Sequence, residues 1–201
     1  MRVALLEAAT DILETEGPDA LSVRRIAAAA GVAPMGVYNH FESKFGIVDA
    51  LFIQGFARLS EAMDAAAQVR DPYEALRESG RRYRALALAH PMVYQIMFLR
   101  PVPGFEPSAL AVESAAAAFD KLVAAVQRAM AAGVIVDGPP FETARLIWAS
   151  IHGWMALELM GIGDPTDQDT GFDRVCSTML DGLNPEAAQR GQARRSPTRS
   201  L

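Results

Sequence analysis

The sequence predicts an all-α protein of about nine helices, in which a small three-helix domain precedes a larger helical domain. Hydrophobic residues make up 51% of the 201 residues and aromatic residues only 7%. Alanine is abundant, and it costs less free energy to place in a helix than any other residue. Apolar residues recur at helical spacing, and no segment shows the alternation typical of a strand. Together these observations favour helices throughout the chain.

Four helices are expected in the first third of the chain. Residues 2–16 place their apolar side chains on one helical stripe, which Gly17-Pro18 ends. Ser22 is a good N-terminal cap for a second helix, and Gly31 separates that helix from a third, which starts at residue 33 or 34. The predicted helices cover residues 2–16, 23–28, 34–39 and 43–69, and proline suits the first turn of the third.

Five more helices and a tail complete the prediction. The segment 71–74, Asp-Pro-Tyr-Glu, combines a cap, a helix-starting proline and a capping-box acid. The remaining helices are expected at 71–89, 92–99, 107–132, 141–160 and 168–183. From residue 185 the chain carries four arginines and one acid with little apolar content, which predicts a disordered basic tail. The predicted domain limits are therefore 1–50, 51–184 and 185–201.

Composition narrows the class of protein. Cys176 is the single cysteine, so no intramolecular disulfide can form. The N-terminal residues lack the uninterrupted apolar segment of a secretory signal, and no run of eighteen apolar residues could cross a membrane. We therefore expect a soluble cytoplasmic protein with no membrane partner.

The net charge of the chain does not indicate a nucleic-acid partner. The net charge is −5, and the first fifty residues contain four cationic side chains against seven acidic ones. A basic patch is the usual electrostatic sign of DNA binding. A DNA-binding role would therefore depend on where the charges lie and not on their sum.

Enzymatic chemistry is not expected. His40, His90 and His152 lie on three separate segments, and none has the spacing of a metal-binding motif. The glycines do not form a phosphate-binding loop, and nothing indicates a partner for Cys176. The sequence therefore predicts no catalytic residue, no metal site and no cofactor.

The segment 21–41 has the construction of a helix-turn-helix. Two short helices flank a tight turn at Gly31, and Ala27 is small enough for the helices to approach closely. Val32 and Val37 are expected to point inward with Ile26. A first helix then braces a second one for insertion into a major groove.

With Tyr38, His40, Phe41 and Lys44 at fixed spacing after the turn, residues 3–52 resemble the tetracycline-repressor (TetR) family of transcriptional regulators. The segment 38–44, Tyr-Asn-His-Phe-Glu-Ser-Lys, matches the Y-x-H-F-x-x-K signature of that family, and the segments 21–27 and 30–32 match in register. The resemblance implies that phosphates are contacted by one set of side chains and base edges by another. The phosphate set is Ser22, Arg24, Tyr38, His40 and Lys44; the base set is Pro34, Met35, Gly36 and Asn39.

The resemblance leaves some alternatives open within this segment. Asn39 is a candidate for bidentate reading of adenine, and Met35 for contact with a thymine methyl group. Gly36 stands where many relatives carry a larger polar residue, so operator shape is expected to matter more than direct contacts. Alternatively, His40 packs between helices and Tyr38 belongs to the core.

A second motif lies near the end of the chain. The segment 148–153, Trp-Ala-Ser-Ile-His-Gly, resembles the W-x-x-x-H-G element of a subgroup of these regulators. Small residues at Ala149, Gly153 and Ala156 would let another helix come close, and the last helix offers an apolar stripe from Phe172 to Leu183. We infer a homodimer through the last two helices, packed as a four-helix bundle.

A small, largely apolar effector is the other expected partner. Aromatic and methionine side chains with a few polar groups suit a mostly apolar pocket, although for each residue a place in the core is the alternative. The candidate lining residues are Tyr83, Tyr94, Met97, Phe98, Phe105, Phe119, Trp148, His152 and Met155. The sequence thus predicts a repressor that its effector releases from a palindromic operator. The alternative is a helical ligand-binding or protein-interaction module with a degenerate DNA-binding end.

Overall fold

The computed structural model describes residues 1–99, 102–164 and 167–187. Within these ranges the protein contains nine α-helices of seven or more residues, one 3₁₀ turn at Pro18–Ala20 and a last helical segment at residues 185–187, without a strand. None of the helices described is both long and apolar enough to cross a membrane. The helices are α1 Arg2–Glu16, α2 Val23–Ala29, α3 Pro34–Phe41, α4 Lys44–Ala67, α5 Pro72–Ala89, α6 Pro91–Phe98, α7 Ala109–Ala131, α8 Pro140–Leu159 and α9 Gln168–Gly182.

The all-α fold class and the order of the helices are confirmed, and their ends shift by one or two residues. The third helix, predicted to end at Asn39, continues to Phe41 because the Phe41 side chain is buried. It ends where Glu42 adopts a left-handed backbone with φ 59°. α7 begins two residues later than predicted because Ser108 is its cap, with the side-chain oxygen accepting a hydrogen bond from the amide of Ala111.

The chain divides into two compact units. The first unit comprises residues 1–61 and 85–118, and the second comprises 62–84 and the chain from 119 onward. The domain limits expected from the sequence, 1–50, 51–184 and 185–201, stay a prediction. Residues 185–187 are helical, and the rest of the predicted basic tail, with Arg190, Arg194, Arg195 and Arg199, lies outside the described residues.

In the first unit, α1, α2 and α3 share an apolar core. Leu5 and Leu13 of α1, Ile26 of α2 and Val37 of α3 are almost completely buried. Burying a side chain of this size contributes about 1.5–3 kcal/mol relative to leaving it exposed. This core fixes the positions of the three short helices, none of which would be stable alone in water.

Two carboxylates bind the N-termini of later helices of the same unit. Glu14 of α1 accepts hydrogen bonds from the amides of Met92 and Val93, each at 3.0 Å. Asp49 of α4 accepts hydrogen bonds from the amide and the hydroxyl of Ser108, each at 2.8 Å. The first-turn amides of a helix have no partner within that helix, and they carry its positive dipole end. α1 therefore supplies a cap for α6, and α4 holds Ser108, the cap residue of α7.

An aromatic cluster fills the rest of the first unit. The rings of Phe52 and Phe56 lie 4.8 Å apart, and Phe98 lies 5.3 Å from Phe56 and 4.9 Å from Tyr94. Gly55 makes room beside them, since a Cβ there would lie 2.5 Å from the sulfur of Met97. Offset and edge-on ring pairs of this kind stabilise a core beyond their buried area.

The second unit is built around close contacts of α5, α8 and α9. A Cβ at Gly80 of α5 would lie 3.2 Å from both Ile151 and Cys176, and a Cβ at Gly171 of α9 would lie 2.5 Å from the ring of Trp154. Glycine at these positions lets the three helices approach. Burial raises the pKa of the Cys176 thiol to about 11, which keeps it protonated and unreactive at neutral pH.

A buried ion pair joins the same three helices. Arg84 of α5 binds the carboxylate of Glu158 of α8 through both Nε and a terminal nitrogen, and a second terminal nitrogen binds Asp169 of α9 at 2.6 Å. The indole of Trp154 donates to the same Glu158 carboxylate at 3.0 Å. Hydrogen bonds to these carboxylates raise the pKa of Arg84 above its already high value. A buried charge pair is tolerated because every partner is hydrogen-bonded.

Candidate functional site

The turn between α2 and α3 has the geometry of a glycine-terminated helix. Gly31 adopts φ 67°. The amide of Val32 donates a hydrogen bond to the carbonyl of Ala27 at 2.9 Å, and the amide of Gly31 donates one to the carbonyl of Ala28 at 3.2 Å. This pair of bonds is the Schellman motif, which needs a left-handed residue at the position of Gly31. The predicted turn is therefore present, and it sets the angle at which α3 leaves α2.

The start of each neighbouring helix is held by a polar contact. The hydroxyl of Ser22 accepts a hydrogen bond from the amide of Arg25 at 3.3 Å and caps α2. The guanidinium of Arg25 forms an ion pair with Glu16. The ammonium of Lys44, at the start of α4, donates to the carbonyl of Pro18 at 3.3 Å. Ser22 and Lys44 thus have roles in the protein's own structure in addition to the DNA contacts expected of them.

α3 turns one face inward and one outward. Val37 and Phe41 are buried, with exposed fractions of 1% and 5%. Met35 and Tyr38 are 66% and 49% exposed. The predicted DNA-binding residues of α3 lie on the outward side or at its margin: Pro34, Met35, Tyr38, Asn39 and His40 are exposed and Gly36 is half-buried. The alternatives in which Tyr38 or His40 is a core residue are not supported by these exposures.

The outward face of α3 has a geometry suited to entering a major groove. Exposed side chains on a helix braced by a second helix can enter a major groove, where base edges are distinguishable. Asn39 carries the only amide among them, and Tyr38 and His40 add a hydroxyl and an imidazole. Arg24, on α2, is exposed as well.

A polar cluster lies in the second unit among apolar side chains. The hydroxyl of Tyr83 lies 3.0 Å from Nδ1 of His152, and the indole nitrogen of Trp148 donates to the Tyr83 oxygen at 3.4 Å. Burial lowers the pKa of His152, so its imidazole is neutral at neutral pH. The bonds are mutually consistent if Tyr83 accepts from Trp148 and donates to His152.

A cavity of about 30 Å³ adjoins this cluster. Its lining carries no side chain that is charged at neutral pH: Met63, Leu76, Ser79, Gly80, Tyr83, Leu122, Ile147, Trp148 and Ile151. Such a volume holds one or two water molecules, whereas pockets for small ligands occupy roughly 300–1,000 Å³. An effector would therefore have to enlarge the cavity by moving side chains or helices.

The predicted effector-binding residues fall into two groups. Tyr83 and Trp148 line the cavity, His152 and Phe119 contact Trp148, and Met155 is buried in the same unit. The other four, Tyr94, Met97, Phe98 and Phe105, belong to the aromatic interior of the first unit.

Several lining residues were not predicted. Leu76 and Gly80 lie on α5 at helical spacing with the predicted Tyr83, and Ile147 and Ile151 lie at helical spacing on α8. That spacing could have suggested two facing stripes, but the same pattern is found on any core helix. Among the residues the structure describes, no group of three or more histidine, cysteine or acidic side chains could hold a metal ion.

Two family models match the chain. Residues 5–51 match the model of bacterial regulatory proteins of the tetR family. Residues 76–179 match the model of the tetracyclin repressor-like C-terminal domain. The first match contains the turn at Gly31 and the whole of α3, and the second contains the Tyr83–His152 pair.

Individual proteins are similar over most of the chain. An uncharacterized HTH-type transcriptional regulator of Mycobacterium tuberculosis is 26% identical over 193 residues, which cover 96% of this chain and 85% of that protein. The HTH-type transcriptional repressor DrrR1 of Streptomyces coeruleorubidus is 32% identical over 108 residues, 53% of this chain and 38% of the repressor. A solved structure of a protein of unknown function from Rhodococcus sp. RHA1 is 31% identical with a TM-score of 0.82, covering 90% and 94% of the two chains.

Alanine should change the free energy of unfolding in opposite directions at Gly31 in the turn and at Gly36 in α3. Gly31→Ala should lower the free energy of unfolding by about 1–2 kcal/mol, because a Cβ is strained at positive φ. Gly36→Ala should raise it by up to about 1 kcal/mol, because alanine is the better helix former. No atom lies within 4 Å of a Cβ at Gly31, and at Gly36 only Val32 lies in ordinary contact, so packing does not obscure either effect.

Urea unfolding followed by circular dichroism measures both changes. Equal stability of wild type and Gly31→Ala would contradict the assigned turn. A loss of stability in Gly36→Ala would contradict its place in a regular helix.

Proposed function

Because the chain belongs to the TetR family of bacterial transcriptional regulators, we propose that it is a cytoplasmic repressor of this kind. It binds a palindromic operator through α3 and leaves the DNA when a small, largely apolar effector binds in the second unit. The observation that carries the proposal is the outward face of α3, where Tyr38, Asn39 and His40 are exposed on a helix whose inner side is buried.

The proposed DNA contacts fall into two groups, those with the phosphate backbone and those with the base edges. Arg24, Tyr38, His40 and Lys44 contact phosphates, with the hydroxyl of Ser22 as a further contact, and they set the register of the protein on the duplex. Lys44 donates one of its three ammonium hydrogens to Pro18 and keeps the others for a phosphate. Pro34, Met35, Gly36 and Asn39 meet the base edges. Few of these groups can form hydrogen bonds to bases, so operator shape contributes to specificity.

Asn39→Ala tests the reading helix. It should weaken operator binding by about 1–3 kcal/mol, the cost of losing a bidentate contact with adenine. Affinity for random-sequence DNA should stay unchanged, because the phosphate contacts remain. Footprinting on the DNA that flanks the protein's own gene locates the operator, and titration of that fragment measures the change. An equal loss on both DNAs would show that Asn39 does not read bases.

The second candidate function is a helical ligand-binding or protein-interaction module whose DNA-binding end is degenerate. The acidic excess of the first fifty residues is the observation that favours it. The same footprint separates the two functions. A protected palindrome supports the repressor. No protection, together with unchanged non-specific binding in Tyr38→Ala, supports the module.

A homodimer through α8 and α9 is part of the proposal. Apolar or small side chains lie exposed along α8 at helical spacing: Leu146, Ala149, Gly153, Leu157 and Met160. A Cβ at Gly153 would meet no atom within 4 Å, which leaves room for a second helix. On α9 the apolar residues Phe172 and Cys176 are buried within their own unit, so its outward residues, such as Arg174 and Thr178, would flank the contact. Exposed apolar stripes on a helix indicate a partner surface.

Ala149→Glu should convert the protein to a monomer, since it places a charge in the middle of this apolar stripe. Operator affinity should fall with it, because two reading helices must reach successive major grooves. Ala124→Glu, at an exposed position of α7, is the matched control and should stay dimeric. Sedimentation at micromolar concentration measures the oligomeric state. A wild-type monomer that still bound the operator tightly would overturn the homodimer.

The effector site is proposed around Tyr83, Trp148 and His152. The lining of the adjacent cavity is uncharged, and desolvation there disfavours a charged ligand without a counter-ion. Met63 of α4 lines the cavity, and Lys44 begins the same helix. An effector that displaces Met63 would therefore act on the helix that continues from the DNA-binding segment. The resulting loss of operator affinity can be no larger than the effector's differential affinity for the two states.

Uncharged alcohols and phenols are the first probes, with carboxylates of matched size as the charged comparison. The uncharged compounds should raise the melting temperature and weaken operator protection, and the carboxylates should do neither. Tyr83→Phe should reduce both effects, because it removes the hydroxyl but keeps the ring. A compound that raised the melting temperature without changing operator affinity would contradict the coupling of effector and DNA.

A further inference from the structure

The first residue of α1 lies against the last residue of α3. The guanidinium carbon of Arg2 is 5.3 Å from the centroid of the Phe41 ring. Arg2 is exposed and Phe41 is buried. The contact therefore attaches an exposed cation to the end of the helix that carries Tyr38, Asn39 and His40.

Unpaired cations are scarce in this part of the protein. The first fifty residues contain four arginine and lysine side chains, and Arg25 is neutralised by its ion pair with Glu16. Within the described ranges, no acidic side chain lies within ion-pair distance of Arg2 or Arg24. DNA binding requires cations that displace the counter-ions of the phosphates. Because acidic side chains outnumber basic ones in the first fifty residues, the few unpaired cations near α3 must displace the counter-ions of the phosphates.

Arg2 is exposed above the Phe41 ring, so its donors remain accessible. A guanidinium presents its flat face to an aromatic ring, and its N–H groups point outward in the plane, where they match the geometry of a phosphate. The neighbouring ring of His40 lies 6.3 Å from that of Phe41, and His40 is exposed. Arg2 and His40 are thus both placed beside Phe41 at the C-terminal end of α3.

We propose that Arg2, placed over the Phe41 ring, binds a backbone phosphate of the operator at the C-terminal end of α3. The tetR family model matches only from residue 5, so the match does not include this residue. The proposal rests on DNA binding through α3. Phe41 belongs to the core of the three short helices, and its ring restricts the long Arg2 side chain before DNA arrives. Less conformational entropy is then lost when the phosphate binds.

The salt dependence of operator binding tests this contact. Each phosphate contact contributes about 0.9 to the slope of log affinity against log salt concentration, so Arg2→Gln should lower the slope by about 1.8 for a dimer. Arg2→Lys keeps the charge and should keep the slope. Arg25→Gln is the matched control, because it removes the same charge from the same domain but from a side chain already paired with Glu16. Its slope should equal that of the wild type.

Each of the other outcomes is informative. A slope unchanged in Arg2→Gln overturns the proposal, and weaker binding at every salt concentration with that unchanged slope assigns Arg2 to the packing of Phe41. An equal decrease of the salt slope in Arg25→Gln also overturns the proposal, because the decrease would then come from net charge alone. Melting curves of each variant exclude unfolding as the cause. If the wild-type protein protects no operator, DNA binding through α3 itself fails, and that result is distinct from an Arg2-specific one.

Discussion

Burial of the inner side of α3 is the interaction on which the functional geometry depends. Val37 and Phe41 anchor an eight-residue helix that would not form alone in water. With the inner side fixed, the outward side chains can differ between regulators without changing the fold. The turn at Gly31 and the capped start of α2 then set the angle at which this helix is presented. Stability and the proposed recognition of DNA are in this way assigned to opposite sides of one short helix.

The acidic excess of the first fifty residues has a structural explanation. Glu14 caps α6, Glu16 is paired with Arg25, and Asp49 binds Ser108, the cap residue of α7. These three carboxylates are engaged by amides or by a guanidinium, so their charge is partly compensated where they lie. Formal charge therefore overstates the repulsion that DNA would meet. The excess of acids reflects how the helices are joined more than which molecules the surface attracts.

The sequence was sufficient for some of these features and not for others. Helix order and the turn at Gly31 followed from spacing, because periodicity and glycine preferences act over a few neighbouring residues. Glu14 and Val93 are 79 residues apart in the sequence, and Tyr83 and His152 are 69 residues apart. A local sequence pattern therefore cannot predict these contacts. For a related reason, the predicted effector-binding residues are distributed over both units and not gathered at one site. Aromatic and methionine residues at helical spacing look the same in the interior of either unit.

The two tryptophans of the chain both lie on α8, in the second unit. Trp148 lines the small cavity, and the indole of Trp154 donates to the carboxylate of Glu158. Indole emission depends on local polarity and hydrogen bonding, so the tryptophan fluorescence of this protein, excited selectively, reports on the second unit alone. A change in this emission on adding DNA would thus be an optical sign that DNA binding and the second unit are coupled.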